Sequence, residues 1–123
     1  MQDFQKLGVW QKAHSLAVSV HRLTASIPAQ GNSGFVSQVR RSAEAIPSNI
    51  AEGCGRGSDL DFAKFIQVAL ASASELESHL RYAADTELIA DAVFKARQPE
   101  VIEVRKMLIG LQKRLDPSRF KKP

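Results

Sequence analysis

Apolar residues recur along this chain at spacings of three and four, and nowhere at a sustained spacing of two. That period is the mark of helices with one buried face. The first stripe runs through Trp10, Ala13, Leu16, Ala17, Val20, Leu23 and Ile27, which predicts a helix over about 9–26. Pro28 ends it, and Gln30-Gly31-Asn32-Ser33-Gly34 reads as a loop. A second stripe, Phe35, Val36, Val39, Ala43, Ile46 and Ile50, predicts a helix over about 35–52. Pro47 falls inside it and predicts a kink rather than a break, because Ile46 and Ile50 keep the helical phase across the proline.

The third stripe is the clearest. Ser58 or Asp59 can cap its start, and Asp61 suits the first turn. Phe62, Phe65, Ile66, Ala69, Leu70, Ala73, Leu76 and Leu80 follow, with no glycine or proline before Asp85. Small residues, Ala71, Ser72, Ser74 and Ser78, form a second stripe, so this helix can pack closely on more than one side. The fourth segment runs from about Asp91 to Leu115 through Val93, Phe94, Val101, Ile102, Val104, Leu108 and Leu111. Pro99 is expected to interrupt it and to start a new stretch after a turn or two. Four helices with short connections and no strand signal predict an all-α fold, an antiparallel up-down-up-down four-helix bundle. The bundle is expected over 1–118, with 119–123 as a short basic tail.

Composition adds three bounds. A chain of 123 residues with 44% hydrophobic content is long enough for one real core. The single cysteine, Cys54, excludes a disulfide framework within one chain. No apolar run is long enough to span a membrane and the N-terminus has no apolar signal core, so a cytoplasmic protein is expected.

Charge is unevenly placed. The net charge is +4. Residues 1–94 carry 8 basic and 10 acidic side chains, whereas residues 95–123 carry 9 basic and 3 acidic. A basic end of this kind can hold phosphates through counterion release.

Catalytic and metal chemistry find little support. His14 and His21 lie two turns apart on one face, roughly 10 Å, too far for one metal ion. Glu75 and His79 are one turn apart, and two ligands do not make a site. A di-metal bundle needs glutamates three residues before histidines, where Gln11, Val18 and Leu76 stand instead. Gly53, Gly55 and Gly57 mark a helical hairpin rather than a phosphate loop, since no strand precedes them and no Gly-Lys-Ser/Thr follows. No cofactor, no metal and no enzymatic activity are expected. Cys54 could have a lowered thiol pKa from Arg56 and the third helix's N-terminus, or could be a small residue in a tight turn. Folding the second and third helices about Gly55 places Arg41 within reach of Ser72 or Glu75.

Several segments together resemble a known family. Leu7-Gly8-Val9-Trp10-Gln11-Lys12-Ala13 resembles its opening. Gln38-Val39-Arg40-Arg41-Ser42-Ala43, Ile46-Pro47-Ser48-Asn49-Ile50-Ala51-Glu52-Gly53 and Phe62-Ala63-Lys64-Phe65 resemble its core motif. Ala71-Ser72-Ala73-Ser74-Glu75-Leu76-Glu77 resembles a stretch of small residues followed by Glu-Leu-Glu, and Met107-Leu108-Ile109-Gly110-Leu111 fits its last helix. The family is that of the four-helix-bundle proteins named after the 23S ribosomal RNA intervening sequence, related to the accessory protein of diversity-generating retroelements. The resemblance implies a ring, commonly a pentamer. In the retroelement relative it implies binding to nucleic acid and to a reverse transcriptase. Taken with the charge, it leads to an oligomer that contacts RNA or DNA backbone through Arg40, Arg41, Arg56, Lys106, Lys113 and Arg114. The alternative is a ring that docks a polymerase or other protein and makes no nucleic-acid contact of its own.

Overall fold

The computed structural model describes residues 3–120. Four helices follow in order: α1 (Gly8–Thr24), α2 (Ser33–Cys54), α3 (Asp59–Asp85) and α4 (Asp91–Leu115). Short 3-10 turns, Phe4–Lys6 and Pro117–Phe120, flank them, and no strand occurs among the described residues. Each helix packs antiparallel to its neighbour. Arg40 near the start of α2 reaches Thr24 at the end of α1. Gly53 at the end of α2 lies against Phe62 and Phe65 at the start of α3. Gln112 late in α4 meets Ala63 early in α3, and Gly8 at the start of α1 lies against Met107 in the second half of α4. Among the described residues, the diagonal pairs α1/α3 and α2/α4 do not come close. The result is the up-down-up-down four-helix bundle that the four stripes predict.

The stripes meet in one core. Val20, Val39, Ile46, Ile50, Ile66, Leu76, Leu80, Phe94, Val101, Val104 and Leu108 are all buried. Ala13, Ala43, Ala69, Ala73 and Ala83 fill the narrow places between them. Burying each of the larger side chains stabilises the fold by about 1.5–3 kcal/mol before chain entropy is counted. Ser58 caps α3 as its sequence suggests: its hydroxyl accepts from the Asp61 N–H at 3.2 Å, and Asp59 and Asp61 occupy the first turn.

Three local expectations are corrected. α4 runs unbroken through Pro99. The proline sits on the exposed side of the helix, where water can satisfy the carbonyl one turn back that loses its N–H partner. α2, by contrast, continues through the buried Pro47 as the kept phase of Ile46 and Ile50 predicts, with both in the core.

The second correction concerns Gly53. It belongs to the last turn of α2, not to the loop. A Cβ built there would lie 2.8 Å from both Phe62 Cδ1 and Phe65 Cβ, so Gly53 is required by close helix approach rather than by turn geometry. Gly55 has a right-handed φ of −82°. Among the glycines at described positions, only Gly31, at φ +83°, needs the left-handed freedom that glycine has.

The third correction is the Arg41 pairing. Arg41 points outward and has no ion pair among the described residues. Glu75 bonds His79 one turn along its own helix at 3.2 Å. The Phe35 ring meets His79 and Tyr82, so the two helices meet a few residues away from the alignment that pivots on Gly55.

Candidate nucleic-acid interface

The six basic residues do not share one surface. Arg40 and Arg41 stand about two turns into α2, and Arg56 lies in the α2–α3 loop, 15 residues further on. That separates them by about 22 Å along the bundle. Lys113 and Arg114 occupy the last turn of α4, at the same end as Arg56, and Lys106 stands about two turns before them.

Two of the six are held by the fold itself. The Arg40 Nε donates to Thr24 Oγ1 at 2.9 Å, and its Nη2 donates to the His21 carbonyl at 3.2 Å. It thus ties α2 to the last turn of α1, sharing the His21 carbonyl with the Thr24 hydroxyl. The Arg56 Nη2 donates to Glu52 at 2.9 Å, and its guanidinium lies over the Phe65 ring at 4.7 Å. Each of these arginines ties two elements together, so the fold sets its orientation.

The other four face water. Arg41, Lys106 and Arg114 are exposed and have no acidic partner among the described residues. Lys113 lies 5.5 Å over the Phe120 ring, a contact that leaves its charge intact. The nearest carboxylate in sequence, Asp116, is already engaged: Ser118 donates to it at 2.6 Å and Arg119 at 3.4 Å. Those bonds hold the Asp116 carboxyl below its ordinary pKa, the Ser118 bond contributing most. Arg119 also donates to Gln67 at 3.3 Å, so residues up to Phe120 fold back on the bundle. Lys121 and Lys122 of the basic tail lie outside the described residues.

Sequence reasoning missed a polar seam between α3 and α4. Gln98, Arg105 and Gln112 recur every seven residues and all reach α3. Glu77 accepts from Arg105 and, at 3.0 Å, from Gln98. The bonds from Arg105 first and Gln98 second hold the Glu77 carboxyl below its ordinary pKa. Gln112 is buried and donates to the Ala63 carbonyl at 3.1 Å and to Gln67 Oε1 at 3.0 Å. The heptad spacing of three long polar side chains in α4 was the available signal.

A furrow runs between α1 and α2 on another side. Its first stretch, about 570 Å³, is walled by Phe4, Trp10, Ala17, Val18, Pro47 and Ala51, with His14, His21, Arg22 and Glu44 at its edges. Trp10 stacks on His14 at 4.7 Å, and Phe4 meets the indole edge-on at 5.0 Å. His14 and His21 share this furrow, as their spacing implies. A second stretch of about 480 Å³ holds Arg40 and Arg41, and Glu44 lines both.

Nucleophilic chemistry at Cys54 loses its basis. The side chain is buried, and that burial, ahead of the charge of Asp3, pushes the thiol pKa up. Among the described residues no three His, Cys, Asp or Glu side chains cluster as metal ligands. No helix among them is long and apolar enough to cross a membrane.

Four antiparallel helices around one alanine-rich core, with basic side chains on the outer face of the last helix, define a four-helix-bundle protein of simple topology. The sequence pattern of one such family, the 23S rRNA-intervening sequence proteins, matches residues 5–110, so the chain belongs to that family. Among solved structures, it is similar to a protein with unknown function from the S23 ribosomal protein family of Bacteroides thetaiotaomicron. The two are 27% identical with a TM-score of 0.79, covering 85% of this chain and 98% of that one. No curated protein matches the chain.

Proposed function

We propose that this protein is a non-enzymatic, cytoplasmic homo-oligomer that binds the backbone of RNA or DNA without sequence preference. The observation that carries this reading is the outward face of α4: Lys106, Lys113 and Arg114 are exposed there and none pairs with a carboxylate among the described residues. Phosphate contact needs cations of this kind, and no base-reading geometry is implied. The family's name refers to an intervening sequence of ribosomal RNA, which agrees with a nucleic-acid partner. On the family resemblance the oligomer is a five-membered ring of roughly 65–70 kDa. Ring symmetry repeats the α4 face once per subunit, so weak contacts add along one strand.

The test is a salt-dependent titration against duplex and single-stranded probes. Micromolar or tighter binding at about 50 mM salt, falling steeply as salt rises, is the expected result. Lys113→Gln with Arg114→Gln should weaken binding to all probes alike and flatten the salt slope. Absence of binding at low salt would favour the protein-docking ring instead.

A further inference from the structure

The seam between α1 and α2 is hollow where its residues are small. Ala17 and Val18 on α1 and Pro47, Ser48 and Ala51 on α2 line a recess of about 570 Å³. Larger side chains at those positions would fill it. Phe4 and Trp10 line the end nearest the start of α1, with their rings in contact. The volume falls within the range of small-molecule sites, about 300–1,000 Å³, and such sites pair apolar walls with a few polar groups.

Here the charged groups gather at the opposite end. Arg22 lies about 18 Å along α1 from Trp10, and long side chains on a helix lean back toward its N-terminus, which here brings Arg22 over the recess. It is exposed and has no ion pair among the described residues. Arg40 and Arg41 line the adjoining stretch of the same furrow, and Glu44 lines both stretches. Arg40 donates only to neutral oxygens of α1, so its charge is not neutralised there. Three guanidinium groups therefore face one carboxylate, and Glu44 forms no ion pair with any of them.

We propose that this furrow is a binding site for a small organic acid. Its apolar body lies between Ala17, Val18, Pro47 and Ala51 toward Trp10, and its carboxylate meets Arg22. The charge selects the head group. A cation would face three guanidinium groups, and a neutral amphiphile would forgo the stronger hydrogen bond that a charged pair makes. The site is separate from the outer face of α4, so the inference goes beyond the nucleic-acid reading and does not depend on it.

Trp10 is the only tryptophan in the chain, so its emission reports occupancy of the furrow without a label. Three probes share one alkyl body and differ in the head: decanoate, decanol and decyltrimethylammonium. Each is titrated into the whole chain below its micelle concentration. Decanoate is expected to shift the emission saturably and to bind about tenfold tighter than decanol, the worth of one charge-assisted hydrogen bond. Decyltrimethylammonium should bind weakest. Arg22→Gln should bring decanoate down to the level of decanol, and Glu44→Gln should tighten it. Both positions are exposed, and circular dichroism melts check that each variant folds. Ala51→Leu narrows the recess and should weaken all three probes alike; should it fail to fold, the two charge variants still decide. Equal affinities for the three heads overturn the proposal, as does decanoate binding that Arg22→Gln leaves unchanged. An oligonucleotide that displaces decanoate, and whose own binding is lost in Arg22→Gln, assigns the furrow to nucleic acid and overturns it. A parent mass that falls in light scattering as decanoate binds assigns the furrow to a second copy, with the same consequence. Decanoate bound as expected by a chain that binds no nucleic acid overturns the proposed function and leaves this site standing.

Discussion

α3 meets α2 and α4 by opposite means. Toward α2 it packs close: Gly53 of α2 lies against Phe62 and Phe65, and small residues on both helices are buried, Ala69, Ser72 and Ala73 on α3 and Ser42 and Ala43 on α2. Backbones approach so closely that one added carbon at Gly53 would collide with two phenylalanines. Toward α4 the same helix uses long polar side chains, Glu77 and Gln67, which meet Arg105, Gln98 and Gln112. The first seam is sensitive to volume. The second is sensitive to hydrogen bonding and charge. One helix can serve both because its faces point to different neighbours.

The largest expected effect is on the first seam. Ala73 is fully buried, and Ala73→Leu should overpack it and cost about 2–3 kcal/mol, read as a lowered denaturant midpoint. An unchanged midpoint would mean that the α2–α3 seam has slack, and the contrast between the two seams would collapse.

Gly53→Ala sharpens the same point. Within a helix, alanine gains up to about 1 kcal/mol over glycine. Here the new carbon meets Phe65 Cβ, which cannot swing aside, so a net loss on the order of 1 kcal/mol is expected. The control is Gly110→Ala, an exposed glycine of α4 with open space around it. It should raise stability by up to about 1 kcal/mol. Equal signs at the two sites in parallel melts would remove the close-approach argument.

The second seam is probed by Glu77 and Arg105, whose side chains are 24% and 27% exposed. A double-mutant cycle with Glu77→Ala and Arg105→Ala should give a coupling of about 1 kcal/mol, between the values for exposed and buried pairs. The pH dependence follows from the lowered Glu77 pKa. A folded-state pKa below the unfolded one adds stability above the unfolded value, and that stability is lost as pH falls through the folded value. The loss should therefore begin below about pH 4.3, the ordinary glutamate pKa, and deepen with acid. Glu77→Gln should flatten that acid limb in pH-dependent melts, and Ala73→Leu should leave its slope unchanged.

The smallest effect on stability is expected at Lys113 and Arg114. Both are exposed, and neither pairs with a carboxylate among the described residues. Replacing both with glutamine should shift stability by no more than about 0.5 kcal/mol, while nucleic-acid affinity falls. A large loss of stability would show that the α4 terminus is structural like the two seams, and would remove its claim as an interface.

The candidate interface was legible only as a set of charges. That Arg40 secures the end of α1, and that Arg56 is bound to Glu52 and Phe65, could not be read from spacing, because each bond depends on how two helices align. Arg41 shows the same limit. An alignment pivoting on Gly55 paired it with Glu75, and a shift of a few residues along α3 turned it to water. The furrow was hidden for the same reason, although its two histidines were seen to share a face.

By itself the sequence determined four helices, the stripes that form the core, a cap at Ser58 or Asp59 and the family. Each of these depends on periodicity, local capping or motif, which act within a few residues of the chain. Tertiary structure alone decided that Gly53 is a packing residue, that α4 runs unbroken through Pro99, and that Glu77 pairs with Arg105. It also separated the six basic residues into two ends of the bundle. Those outcomes depend on which helix faces touch and at what register, and that is set by the collective fit of side-chain volumes in the core rather than by any local pattern.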